Sequence, residues 1–139
     1  MKRTYIDANI MIAAFQGKEN ISRRALEVLD DPNRQLVVSD FLRLEVLPKP
    51  TVHKRAEEVE FMNAILEKAA ENVPCEPDVT QKAIELASTY DVAPMDALHA
   101  GAALAAKVDE FLTMEKPSKP ICKINEINVT SLYVEPNLA

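Results

Sequence analysis

Short apolar runs alternate with longer stretches of helical period along the 139 residues of this chain. Thr4-Tyr5-Ile6 reads as a buried strand that ends at Asp7, and Ile10, Met11, Ala14 and Phe15 then recur at helical spacing. Gly17 breaks that helix. Ser22 is placed to cap the next, which carries Ala25, Leu26, Val28 and Leu29 before Asp31-Pro32-Asn33 turns the chain. Gln35 to Val38 is a second strand. Ser39 then stands as a helix N-cap, with Asp40 favourable in the first turn of a helix over Phe41 to Leu47 that stops at Pro48-Lys49-Pro50. An amphipathic helix is expected from Val52 to Glu71, with Val52, Ala56, Val59, Met62, Leu66 and Ala69 on one face and Glu57, Glu58, Glu60, Glu67 and Lys68 on its solvated flank. Pro77-Asp78 opens a helix through Tyr90, and Pro94 suits the first turn of an alanine-rich helix reaching Lys107, in which Gly101 allows close packing. Glu110 to Thr113 is a third strand and Val129 to Val134 a last one. Strands alternating with helices predict an α/β fold, a layered domain with a mainly parallel sheet and more helix than strand.

Composition narrows the class. Hydrophobic residues at 47% and charged residues at 27% are a globular balance. Aromatics are only 5% and there is no Trp, so the core is aliphatic. The absence of a repeat, a low-complexity stretch or a Gly/Ser linker points to one domain over residues 1–139. Sixteen basic against 22 acidic residues give a net charge of -6, which excludes binding nucleic acid through a polycationic coat but not through bound metal ions. Cys75 and Cys122 are too few for a disulfide framework and fit reduced thiols. Met1-Lys2-Arg3 is basic, but Asp7 and Asn9 interrupt the apolar stretch that a signal peptide needs, and Asp96 and His99 interrupt the longest apolar stretch elsewhere. The expectation is a cytoplasmic protein with no membrane span.

Four acids fall where chemistry collects in such folds, outside the carboxyl ends of parallel strands. Asp7 follows the first strand, Glu45 lies in the helix after the second, Asp96 begins the alanine-rich helix, and Glu115 lies just beyond the third strand. A buried carboxylate needs a partner, and few basic residues stand beside Asp7 or Asp96. A cluster of such acids repels itself unless a divalent cation compensates it; Mg2+ or Mn2+ suits an all-oxygen site and can orient a phosphodiester and activate water. Each acid also has a plainer reading: Asp96 complementing a helix dipole, Asp7 capping a helix, Glu45 pairing with Arg43 or a lysine, and Glu115 sitting on the surface beside Lys116.

The segment Tyr5-Ile6-Asp7-Ala8-Asn9-Ile10-Met11-Ile12 resembles the opening motif of PIN-domain ribonucleases. Ser39-Asp40-Phe41-Leu42-Arg43-Leu44-Glu45-Val46 is similar to their second acidic motif. Met95-Asp96-Ala97-Leu98-His99-Ala100 and Phe111-Leu112-Thr113-Met114-Glu115 are similar to the third and fourth. The resemblance spans essentially the whole chain, with the motifs in order. It implies a three-layer α/β/α sandwich and metal-dependent hydrolysis of RNA, with Asp7, Glu45, Asp96 and Glu115 as catalytic and metal-binding acids and Asn9 and Thr113 in supporting roles. Glu115 stands where the family more often has Asp; its longer side chain still reaches a metal or its water, and leaves a shifted or single-metal site open. Small PIN proteins are often VapC-type toxins, which implies an antitoxin partner and a homodimer, with the helix from Val52 offering apolar surface or else packing inward.

Lys49, His53, Lys54 and Arg55 form the one compact basic stretch and are candidate RNA contacts, as is His99, one turn after Asp96; a solvated helix start and a packed histidine are the plainer readings. Lys116, Lys119 and Lys123 are a looser group. Base stacking has little support in so few aromatics. The alternative function is a PIN-like interaction module that no longer cleaves. Other Mg2+-dependent phosphotransfer enzymes fit less well, since the second Asp of a haloacid-dehalogenase motif is Asn9 here, and the paired acid and late Lys of a receiver domain do not align.

Overall fold

The computed structural model describes residues 1–135; the last four residues of the expected domain, 136–139, lie outside them. The strands are β1 (Lys2–Ile6), β2 (Arg34–Ser39), β3 (Glu71–Val73), β4 (Glu110–Thr113) and β5 (Val129–Ser131). Between them run α1 (Ala8–Gln16), α2 (Glu19–Leu29), α3 (Asp40–Val46), α4 (Pro48–Val52), α5 (Ala56–Lys68), α6 (Pro77–Tyr90) and α7 (Pro94–Ala105), and a 3-10 turn at Pro120–Lys123 precedes β5. All five strands pair in parallel in the order β3-β2-β1-β4-β5.

Register and the two-residue period of a strand explain the layering. Tyr5 aligns with Val37 on one side and Phe111 on the other, and these three face one core with Ala83 and Leu86 of α6 and Ala97, Ala100 and Ala103 of α7. One residue on, Ile6 aligns with Leu112, and both face the opposite core with Val38, α1, α2 and Met62, Ile65 and Leu66 of α5. Buried on both faces at their centres, β1 and β4 carry the short apolar stretches Tyr5-Ile6 and Phe111-Leu112, as strands of parallel sheets do. The result is the expected α/β/α sandwich. Gly101 permits the close approach of α7 to α6: a Cβ there would stand 2.9 Å from the Val79 carbonyl oxygen.

Several boundaries differ from the expectation, for local reasons. Pro48 does not stop the chain but sits in the first turn of a further short helix, where a missing N–H costs nothing. Lys54 then adopts a left-handed φ of 57° and Arg55 leaves the helical region, so the long helix starts at Ala56 rather than Val52. Val52 is exposed, while Met62, Ile65 and Leu66 are buried, so the α5 stripe belongs to the chain's own core. Ala69 is extended, which ends α5 and leads into the edge strand β3. The last strand closes at Ser131. α2 begins at Glu19, three residues before Ser22, whose hydroxyl instead donates to the Ala14 carbonyl. Glu58 is buried rather than solvated, accepting from Gln16 and pairing with Arg55 at 3.8 Å.

Candidate metal centre

In the strand order, consecutive connections leave β1 toward β2 and later return to its other side at β4, so the crevice at the carboxyl ends of β1 and β4 is the topological switch point. Asp7 is the first residue past β1, and its N–H still donates to the Leu112 carbonyl of β4 at 3.0 Å. Its carboxylate caps α1, Oδ1 accepting the Ala8 N–H at 2.8 Å, and Oδ2 accepts from the Thr113 hydroxyl at 2.9 Å. Asn9 stands beside it, donating through Nδ2 to Thr113 Oγ1 at 3.1 Å and accepting the Met114 N–H at 2.9 Å. Thr113 also accepts the Glu115 N–H at 3.1 Å. Capping and clustering are thus the same feature: the bonds that start α1 aim the second Asp7 oxygen into the crevice.

Glu45 comes from the last turn of α3. That helix is started by Ser39, whose Oγ accepts the Leu42 N–H at 3.1 Å. Glu45 does not pair with Arg43, which bonds Asn72 instead; Oε1 of Glu45 meets Nε2 of His99. Ligand atoms of Asp7, Glu45 and His99 lie within 4.8 Å of one another. Asp96, in the first turn of α7, lies outside that triplet yet close enough to feel it. Burial and then the charges of Asp7 and Glu115 push its carboxyl up to about 6. Burial is also the main cause that raises Asp7, against the lowering effects of His99 and of the bonds from Thr113 and Ala8. Glu115 is half-buried, and Lys116 lies over the Tyr133 ring at 5.6 Å.

The donor set suits a divalent cation. Among the described residues no lysine or arginine bridges Asp7, Glu45, Asp96 or Glu115, although such pairs do hold Glu110, Glu71 and Glu58 elsewhere. The two acids with raised values are therefore only partly compensated, by His99 and by the bonds to Asp7, and their oxygen donors are of the kind that suits Mg2+ or Mn2+.

This has a consequence for stability in a chelator. Asp96 ordinarily titrates at 3.8 and in the fold at about 6, so the folded state holds its proton more tightly. That contribution is complete below the unfolded value and is lost as pH rises through the folded one. In EDTA, the urea midpoint of the wild type should fall relative to Asp96→Asn between pH 4 and 6. At neutral pH the variant should be the more stable by about 1 kcal/mol, a value reduced for solvent screening of a half-buried group. Equal midpoints across that range would show that the carboxylate carries no such burden.

Of the candidate RNA contacts, Lys49 and Arg55 line one pocket with Glu45, together with Gln16 and Glu58. His53 and Lys54 are exposed but do not line it. His99 is fully buried, so it has no surface to offer RNA. Behind it lie two groups that the motif reading passed over, the hydroxyls of Tyr5 and Ser39. Their signal was a pair of polar groups inside apolar strand sequence. Among the described residues no helix is long and apolar enough to cross a membrane.

The fold is thus a parallel α/β/α sandwich with acids near its switch point. Residues 4–116 match the PIN domain family, and the chain belongs to it. Solved structures share the fold at low identity. A chain of VapBC2 from Rickettsia felis bound to a DNA fragment from their promoter has a TM-score of 0.70 at 14% identity, covering 93% of this chain and 98% of that one. A toxin–antitoxin complex from Klebsiella pneumoniae gives 0.70 at 20% identity, with coverages of 94% and 98%. FitAcB from Neisseria gonorrhoeae gives 0.62 at 19%, with coverages of 91% and 95%. Comparison with curated proteins gives no match.

Proposed function

We propose that this chain is a divalent-metal-dependent endoribonuclease, acting in the cytoplasm as the toxin of a toxin–antitoxin pair, with residues 1–139 as its single domain. The observation that carries the reading is that Asp7 and Glu45 meet at the β1/β4 switch point, where Asp96 feels the charges of Asp7, Glu45 and Glu115, with no lysine or arginine bridging the four among the described residues. Mg2+ or Mn2+ held by these acids would neutralise a phosphodiester and raise the acidity of a water for in-line attack. The chain's own residues prepare that centre. Thr113 and the Ala8 N–H fix both oxygens of Asp7, Asn9 braces Thr113, and α3 and α7 bring Glu45 and Asp96 to the same crevice. No protein nucleophile is required, and the expected products carry a 5′-phosphate and a 3′-hydroxyl.

Lys49 and Arg55 extend the site. Their place beside Glu45 suits them to hold a phosphate of the RNA next to the one under attack, so that attraction is local despite the acidic chain. Two of the similar structures are named as toxin–antitoxin or VapBC assemblies, which supports an antitoxin as partner. A homodimer completes the reading, with exposed Leu44 and Val52 offering apolar area in place of the α5 stripe.

The test is cleavage of a mixed RNA pool by partner-free protein with Mg2+ or Mn2+, stopped by EDTA. Lys49→Ala/Arg55→Ala should weaken RNA binding and reduce the salt slope by about 1.4, as expected for two lost single-strand phosphate contacts. An unchanged slope would remove these two residues from the RNA path. A folded protein that neither cuts nor binds Mn2+ would favour the interaction module.

A further inference from the structure

The four acids leave unexplained a buried run of polar groups behind one of them. The His99 ring has no exposed surface, its Nδ1 lies 2.6 Å from the Tyr5 hydroxyl, and that hydroxyl lies 2.6 Å from Ser39 Oγ. The residues that follow His99 on α7, Ala100 to Ala103, are small and buried, so an aliphatic side chain would suit this interior without the cost of burying an imidazole.

The bonds form a continuous run. His99 Nε2 meets Glu45 Oε1, and on the other side of the ring Nδ1 bonds the Tyr5 hydroxyl, which also bonds Ser39 Oγ. Ser39 in turn accepts the Leu42 N–H as the N-cap of α3. The run therefore starts at the first turn of α3 and ends at Glu45 in its last, tying both ends of that helix through β1 and α7. Both imidazole nitrogens have protein partners in this arrangement.

We propose that His99 is a positioning residue: the Ser39–Tyr5–His99 run holds the Glu45 carboxylate beside Asp7 and so preorganises the acid cluster for its cation. The proposal rests on the metal-nuclease reading. Glu45 has a flexible side chain on the rim of the crevice, and among the described residues the bond to His99 is the one hydrogen bond that its carboxylate makes. Groups that orient a ligand in this way typically govern metal affinity about 10- to 100-fold.

The test is Mn2+ titration followed by electron paramagnetic resonance, with thermal midpoints recorded in EDTA for every variant. His99→Leu should weaken binding by about 10-fold. His99→Gln, whose amide can donate to the same carboxylate, should restore most of it, and Tyr5→Phe should fall between. In a Glu45→Gln background, His99→Leu should change the affinity by less than about 2-fold, since its effect passes through Glu45. An undiminished loss in that background would overturn the proposal by making His99 a direct ligand. Wild-type affinity in folded His99→Leu or, should that variant not fold, in Tyr5→Phe would overturn it by making the run purely structural. Absence of Mn2+ binding by the wild type would instead bring down the metal reading, and the positioning role with it.

Discussion

Asp7→Asn should abolish metal-supported RNA cleavage, lowering the rate by a factor of about 10^3 or more, while the fold survives. The loss corresponds to about 4 kcal/mol of transition-state stabilisation, in the range for removing a preorganised charge from a reaction centre. The fold survives because Asn keeps the cap. Its carbonyl oxygen can still accept the Ala8 N–H and start α1, while the bond from Thr113 is given up, since that hydroxyl already accepts from Asn9 and the Glu115 N–H. What disappears is the charge that burial makes costly. In EDTA the variant should therefore melt at or above the wild-type temperature even as cleavage is lost. Opposite movements of activity and stability separate a functional acid from a structural one, for which both would fall together. Measured product formation by folded Asp7→Asn at the wild-type rate would remove Asp7 from the chemistry.

Much of this arrangement is legible in the chain, and the boundary of legibility is physical. β1 and β4 are visible because strands buried on both faces bring apolar residues together, Tyr5-Ile6 and Phe111-Leu112, and Ser39 and Pro94 because caps and first turns have few acceptable residues. β3 is not visible: three residues at a sheet edge carry no period, and its Ala70 approach is held by one bond to the Leu36 carbonyl, a contact made only in the assembled fold. Glu45 and Arg43 are two apart on α3, a spacing at which helical side chains do not face each other, so helix geometry itself argues against their pairing. The partner that Glu45 does take lies 54 residues away. Glu58 is hidden for the same reason, its burial depending on Gln16 of another helix. The positions of the acids at strand ends and helix starts are therefore readable in the chain, while the bonds that orient them belong to tertiary packing.

Phe111→Ala should cost about 3–5 kcal/mol, a large share of the roughly 5–15 kcal/mol that holds a domain of this size together. Phe111 is fully buried in β4 between its partners Tyr5 of β1 and Val129 of β5. Its ring stacks on Tyr5 with centroids 5.3 Å apart, and Tyr5 meets His99 on a second contact at 5.7 Å. In a chain with few aromatics, the small alanines of α7 cannot move in to fill the space, since the helix is already close against α6 at Gly101. The cavity persists, and its cost adds to that of the lost apolar contact. Urea denaturation should show a lower midpoint with an unchanged slope, and Phe111→Leu should recover most of the loss because it refills the volume. The effect reaches the acids as well: without the stacked ring, Tyr5 loses the surface that holds its hydroxyl toward His99, so Phe111→Ala kept folded at low temperature should bind Mn2+ more weakly than Phe111→Leu. A destabilisation below about 1 kcal/mol would mean that the site end of the sheet is not braced by this core.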